Sequence, residues 1–255
     1  MVFGMSSCSS DPEPRYWGIG SYEYFSTPYI MNYDGTKFVA APGSSFPVLD
    51  ASFYGTRSLM EFYYSKAEEY VQSGPGVTVP ISLVAYNYAI YNTFTPVEIE
   101  GSDFSDPIIG MYEENGKPII STITNFLTFI PQIFLFMDNA EGDYTYASFS
   151  FALEIDEELT EDEKGNKVIN TWLKHNANRA TGEKINLSND IGLRIAFDFE
   201  SVASKYGWDE TETYTIKVNY TSYEWDGNSA IDEENLVEKY ITTTWTPNEP
   251  YVQED

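Results

Sequence analysis

Apolar and polar residues alternate with a period of two along run after run of this 255-residue chain. Leu193, Ile195, Phe197 and Phe199 fall on one side of such a run, with Arg194, Ala196, Asp198 and Glu200 on the other. Tyr214, Ile216, Val218 and Tyr220 alternate with Thr215, Lys217, Asn219 and Thr221. Phe149, Phe151, Leu153 and Ile155 do so opposite Ser150, Ala152 and Glu154, as do Val84–Ile90 and, near the end, Ile241, Thr243 and Trp245. Successive side chains of a strand point to opposite faces, so this period is the mark of half-buried β-strands. The runs are short and rich in β-branched and aromatic residues, which pack well on a pleated surface. Turn chemistry separates them at Asp34-Gly35, Asn115-Gly116, Glu141-Gly142, Lys164-Gly165-Asn166 and Asp226-Gly227-Asn228. Helical periodicity is confined to two short stretches, Val202–Tyr206 and Asp232–Val237. The chain reads as all-β.

Its organisation follows from where that pattern lapses. Pro96, Gly101, Ser102, Asp103, Ser105, Asp106 and Pro107 cluster between two apolar regions, which is linker composition. Ahead of it, residues 16–100 hold about five strands, the number of a small OB-like Greek-key barrel. Behind it, residues 101–250 hold enough for a two-sheet β-sandwich. Residues 1–15 precede both domains, a lipobox-like start around Cys8 followed by an acidic tether.

Charge excludes whole classes of partner. With 14 basic against 40 acidic side chains the net charge is -26, so nucleic acid is ruled out: few cations exist to neutralise phosphates. Electrostatic binding to an anionic membrane fails for the same reason. The 42% hydrophobic content, with 21 Tyr, is nevertheless enough for a packed core. One Cys and one His exclude a disulfide framework and a Cys/His zinc site. No phosphate loop, dinucleotide fingerprint or other cofactor motif occurs, so no cofactor and no metal is expected.

The single cysteine, Cys8, follows Ser6 and Ser7 and precedes Asp11, Pro12, Glu13 and Pro14. This resembles the end of a bacterial lipoprotein signal, in which the cysteine is acylated and a polar tether follows. Acyl chains contribute about 0.8 kcal/mol per buried CH₂, so a multiply acylated Cys8 would hold the protein at a bilayer. Seven residues ahead of Cys8 are too few for a hydrophobic signal core, and the expected start therefore lies upstream of Met1. The most apolar stretch, Phe126–Met137, is broken by Pro131 and Gln132 and is too short to span a membrane.

A larger resemblance runs through the chain. After Cys8 come Tyr16-Trp17-Gly18-Ile19, Asn32-Tyr33-Asp34-Gly35-Thr36, the Ile81–Tyr91 run and Phe104-Ser105-Asp106-Pro107-Ile108. Trp172-Leu173-Lys174-His175-Asn176-Ala177, Ile191–Asp198 and Tyr214–Val218 follow. Together they resemble the NigD-like lipoproteins of Bacteroidales, an N-terminal OB-type domain followed by a C-terminal β-sandwich. The resemblance implies an outer-membrane lipoprotein, periplasmic or surface-exposed, and carries over no catalytic or ligand residue.

The candidate chemistry is sparse. His175 follows the apolar Val168–Leu173 run in a polar stretch ending at Arg179. It reads as a hydrated, dispensable surface histidine; the functional alternative is a general base or ligand contact. Two acid pairs, Asp198 with Glu200 on one strand face and Glu224 with Asp226 beside Trp225, have the composition of a glycosidase site. Lacking basic neighbours, they read as solvated carboxylates. The acidic run from Asp156 to Glu163 lacks the glycine an EF-hand needs at its sixth position, and reads as a hairpin tip.

Aromatic residues are the real surplus. Tyr22, Tyr24, Phe25 and Tyr29 form one cluster; Phe53, Tyr54, Phe62, Tyr63 and Tyr64 a second; Tyr86, Tyr88 and Tyr91 a third. Adjacent strand residues face opposite ways, so Tyr63 and Tyr64 cannot both be buried in one core. The expected function is that of a non-enzymatic, lipid-anchored envelope protein binding a protein or glycan partner through an aromatic β surface. The alternatives are a glycan hydrolase with paired carboxylates, or a fimbrial, adhesin-type subunit.

Overall fold

The structure is a computed structural model. It describes residues 15–48, 56–66, 72–84, 89–90, 92–94, 106–123, 125–137, 150–176, 184–200, 202–224 and 233–247, with backbone alone at 89–90, 92–94, 134–137, 184–192 and 233. Cys8 and the expected linker residues 96–105 lie outside the described residues. The chain divides into two compact units, Met1–Ile90 and Tyr91–Asp255.

The first unit contains β1 (Tyr16–Tyr24), β2 (Tyr29–Asn32), β3 (Lys37–Ala40), β4 (Thr56–Lys66), β5 (Thr78–Leu83) and β6 (Ala89–Ile90). β1 pairs with β4 along its whole length, from Tyr16 opposite Tyr64 to Tyr24 opposite Thr56, and with β2 over Gly20–Glu23. β2 continues antiparallel to β3, β3 runs parallel to β5, and β5 returns to β4. The circuit 1-2-3-5-4-1 closes a five-stranded barrel of the OB type, with β6 added beside β4. Closure matters because an open sheet of this size would leave two unpaired edges. Inside lie Tyr22, Ile30, Phe38, Phe46, Met60, Phe62, Val79 and Ile81.

Local chemistry explains the barrel's tight points. The Asp34 carboxylate accepts from the Thr36 backbone N–H at 2.9 Å, and Gly35 takes φ +81°, so the predicted Asp-Gly turn joins β2 to β3. At Gly20 the neighbouring backbone comes so close that an added Cβ would sit 2.3 Å from the Met31 carbonyl oxygen. Only hydrogen fits where β1 bends between two partners.

The second unit is built from short strands. They are β7 (Asn92–Phe94), β8 (Gly110–Met111), β9 (Glu113–Glu114), β10 (Lys117–Pro118), β11 (Ile120–Ile123), β12 (Phe126–Phe129) and β13 (Pro131–Met137). β14 (Ser150–Ile155), β15 (Thr160–Glu161), β16 (Lys167–Asn176), β17 (Lys184–Gly192) and β18 (Ile195–Asp198) follow. A helix α1 (Val202–Tyr206) precedes β19 (Tyr214–Tyr223) and β20 (Leu236–Trp245). One layer is the sheet β14-β16-β19-β20, with β15 beside β16. Facing it across one core are β11-β12-β18-β7 and β17-β13-β8. Leu127, Phe129, Ile195 and Phe197 meet Phe151, Leu153, Ile169, Ile216 and Trp245 there, as in a sandwich.

Among the described residues of this unit, two strand pairings are parallel, β16 with β19 and β18 with β7. Beyond Leu173 and Tyr220 the β16–β19 pair parts, and residues 106–109 occupy the gap. Asp106 N–H donates to the His175 carbonyl, Ile108 N–H to Thr221, and Tyr223 N–H back to Ile108. Ile109 N–H then reaches the Gln132 carbonyl, which ties this segment to β13.

The sequence expectations fare unevenly among the turns and helices. Asn115 and Gly116 both take positive φ between β9 and β10, the geometry of a two-residue hairpin. Val202–Tyr206 is the helix its periodicity predicts. The stretch expected as a second helix is not one: Glu233–Asn235 forms a single 3-10 turn, and Leu236 already pairs with Tyr223. A helix that short is marginal in water, and ten ladder pairs with β19 outweigh it.

The Gly20 contact sets a test. Gly20→Ala forces a methyl onto backbone and should cost about 3 kcal/mol in urea unfolding of the full chain. Gly110→Ala, whose methyl would meet nothing within 4 Å, should stay within about 0.5 kcal/mol.

Candidate functional site

His175 is not at the surface. It is the last inward position of β16, continuing Ile169, Thr171 and Leu173, and is 2% exposed. Its ring stacks on Phe151, centroids 4.9 Å apart, and its carbonyl holds Asp106. The hydrated strand end expected from its polar neighbours is therefore corrected. Lys174 and Asn176 are polar because they face outward, and one more step of the period-two count would have placed His175 in the core. Burial pushes its pKa down to about 4, against a weaker upward pull from the Asp106 carboxylate. At neutral pH it is an uncharged ring inside a core.

The acid pairs do not form a site either. β18 ends at Asp198, whose carboxylate accepts from the Glu200 backbone N–H at 2.9 Å as the chain turns towards α1. The two acids thus do not share a strand face, contrary to the reading from their spacing. Glu224 pairs with Lys239 at 3.2 Å, while Trp225 and Asp226 lie outside the described residues. In the acidic run, the Asp162 carboxylate accepts from the backbone N–H groups of Lys164 and Asn166 and from the Asn166 side chain. Those bonds, the side-chain one foremost, hold its pKa below the usual carboxylate value and close the hairpin. Among the described residues no three His, Cys, Asp or Glu side chains gather as a metal ion would require.

Among the described residues of the barrel, Tyr22, Tyr24, Phe38, Phe46, Phe62 and Tyr64 face the core. Tyr22 donates from its hydroxyl to the Pro47 carbonyl, and Tyr64 packs against Phe38 and Phe62. Burial raises the Tyr64 pKa to about 12, so it stays protonated at any physiological pH. Tyr63 faces out, 38% exposed, opposite Trp17 on β1, whose indole N–H donates to Glu61 at 3.1 Å. Phe25 is exposed at the end of β1. Phe53, Tyr54, Tyr86, Tyr88 and Tyr91 lie outside the described residues. Trp17 and Tyr63 make a small open patch, because Ile19 and Leu59 further along the same outer side are buried.

A broader open surface lies on the outer side of the five-stranded sheet. Glu154 is opposite Trp172, Trp172 opposite Asn219, and Asn219 opposite Tyr240. Directly paired residues share a face, so these four side chains form one row crossing four strands. Tyr240 is 61% exposed, Trp172 is partly exposed, and Asn219 between them is 9% exposed. The Asn219 amide donates to the Thr171 carbonyl at 2.9 Å, which fixes it as a polar floor. The adjacent row is Asn170, Lys217 and Thr242, with the Lys217 ammonium 4.5 Å from the centre of the Tyr240 ring. Lys174 lies 3.8 Å from Glu154 and over Trp172. Sequence reasoning missed this row. Each member is visible as an outward strand position, but their alignment depends on a parallel register that no local pattern encodes.

The histidine has a measurable consequence. The unfolded chain binds a proton at His175 below pH 6.5, whereas the folded chain does so only below about pH 4. The stability linked to this group is complete above 6.5 and lost as pH falls towards 4, by about 3 kcal/mol in all. The stability difference between wild type and His175→Gln should therefore move by that amount in favour of the variant over the same interval, read by urea unfolding. A constant difference would mean that His175 does not titrate in this way.

No protein-family model and no curated protein matches the chain. Solved structures do. A candidate lipoprotein of Bacteroides fragilis NCTC 9343 matches at TM-score 0.56 and 13% identity, over 92% of this chain and 100% of that one. A protein of Parabacteroides merdae ATCC 43184 matches at TM-score 0.54 and 9% identity, over 91% and 98%. A NigD-like immunity protein of Bacteroides caccae ATCC 43185 matches at TM-score 0.48 and 16% identity, over 88% and 91%. In its fold, a barrel followed by a sandwich, this chain is similar to the B. fragilis and P. merdae proteins over nearly their whole length.

Proposed function

We infer that this protein is a NigD-like, lipid-anchored protein of the bacterial outer membrane, and that it binds a partner without catalysing a reaction. The observation that carries the binding reading is the Trp172–Asn219–Tyr240 row, an aromatic pair flanking a polar floor, each ring with a lysine over one face. An aromatic side chain left 61% exposed forgoes burial that a folded core would have supplied, and exposed aromatic area of this kind marks contact surfaces. The lipid anchor rests on Ser6-Ser7-Cys8 and the acidic tether after it. The family placement rests on the ordered strings from Tyr16 to Val218, alongside the fold shared with the B. fragilis protein.

The non-catalytic part has its own support. General acid–base catalysis needs a group within hydrogen-bond reach of substrate and a pKa near the working pH. His175 meets neither demand: it is enclosed beside Phe151, with a pKa near 4. Asp162, Asp198 and Glu224 are engaged in turns or an ion pair.

Two measurements test the proposal. Expressed behind a lipoprotein signal sequence in a Bacteroidales host, the chain should fractionate with membranes, and Cys8→Ala should move it to the soluble fraction. Unchanged membrane association of that variant would reject the anchor. A pull-down from envelope extract, combined with a glycan array, should retain a partner on wild type that Tyr240→Ala loses. Absence of any such partner would reject the binding role.

A further inference from the structure

We propose that the outer face of the β14-β16-β19-β20 sheet binds an extended, neutral, β-linked glycan lying across the strands. The assignment rests on the binding-protein reading above and names its ligand. Its basis is spacing. Trp172 and Tyr240 stand in one row on strands two apart, so their backbones are separated by two strand spacings, roughly 9.5 Å. A β-linked pyranose chain in extended form advances by close to one strand spacing per sugar. A chain crossing the sheet therefore meets Trp172 and Tyr240 two sugars apart, with the middle sugar over Asn219.

The chemistry of the row suits such a ligand. A pyranose ring has a face of axial C–H groups, which an aromatic ring contacts without losing hydrogen bonds, and an equator of hydroxyls, which needs donors and acceptors. Trp172 and Tyr240 supply the first, each through the ring face opposite the one its lysine covers. Asn170, Lys217 and Thr242, one row along, supply the second and point the same way as the aromatics. Asn219 is held by the Thr171 carbonyl, so no side-chain freedom has to be lost there on binding.

Charge selects against the obvious competitors. The chain as a whole carries -26, a field that repels acidic glycans and acidic peptides. On this face Lys174 lies 3.8 Å from Glu154 and Lys217 lies over the Tyr240 ring, so the face carries charges of both signs and no single-sign cluster around the row. A mixed polar face with two aromatic contacts complements an uncharged polyhydroxylated chain. The Trp17–Tyr63 patch of the barrel lacks this reach, since its two rings are directly paired and lie one strand spacing apart.

The test uses the full chain and linear β-1,4-linked hexasaccharides of glucose, xylose and mannose, titrated calorimetrically, with a polygalacturonate oligomer as the charged comparison. Binding of at least one neutral hexasaccharide is expected, insensitive to added sodium chloride. Tyr240→Ala should weaken it about tenfold, the scale of one lost aromatic contact, with an unchanged thermal midpoint because the residue is exposed. Trp172→Ala should weaken it by a similar factor. The assignment is overturned if none of the three binds, if Tyr240→Ala binds as wild type does, or if only the polygalacturonate binds and salt abolishes it. If the hexasaccharides fail while an envelope protein is captured by wild type and lost by Tyr240→Ala, the glycan is wrong and the binding-protein reading survives. If both fail, both are wrong.

Discussion

The parallel pairing of β16 with β19 is the contact on which the second unit depends. Six consecutive residues of each strand are in register, from Val168 beside Thr215 to Leu173 beside Tyr220. Neither strand could find the other locally, because a parallel pair needs a long crossover, and here the chain visits the opposite layer before it returns. That register puts Ile169 with Ile216 and Thr171 with Val218 on the core side. On the other side it puts Trp172 beside Asn219. Where the pair parts, residues 106–109 enter and bond to both strands, so the sheet's hydrogen bonding continues through chain from an earlier part of the sequence.

Burying polar groups in so β-rich a core demands partners, and the structure supplies them from backbone. Thr171 donates to the Lys217 carbonyl, Asn219 to that of Thr171, Ser222 to that of Ile109 and Tyr22 to that of Pro47. In the barrel the Glu23 carboxylate takes both the Arg57 guanidinium and the Ser21 hydroxyl. Each of these bonds avoids the cost of about 1–3 kcal/mol for an unsatisfied buried group. His175 is accommodated as a neutral ring stacked on Phe151 and set against the backbone of Asp106 and Pro107. The same burial that makes it a poor general base makes it part of the packing that holds the end of β16.

Both units pack aromatic residues in their cores and leave a few outside. The barrel is small, and large rings such as Tyr22, Phe38, Phe62 and Tyr64 fill it with edge-on and tilted contacts. The sandwich core likewise holds Phe129, Phe197, Phe199, Tyr214 and Trp245 among its aliphatic residues, while Trp172 and Tyr240 stay on the outer face. Among the described residues of the sandwich, the Trp172–Asn219–Tyr240 row sets two aromatic side chains on one outer sheet face.

Much of this was readable before any coordinates. Period-two alternation placed β14, β18, β19 and β20, because the alternation is itself the consequence of one face packing and the other meeting water. Turn residues were legible for an equally local reason: Asp34, Asn115 and Gly165 act on backbone within a few residues of themselves. Tyr63 and Tyr64 had to face opposite ways, and they do. What the tertiary structure alone decided was which strands meet and at what register. The closed 1-2-3-5-4-1 circuit, the parallel β16–β19 pair, the enclosure of His175 beneath residues 106–109 and the Trp172–Asn219–Tyr240 row all join residues far apart in the chain. Alternation says which way a side chain points. It carries no information about which strand lies beside it, because that choice is settled by the packing of the whole core.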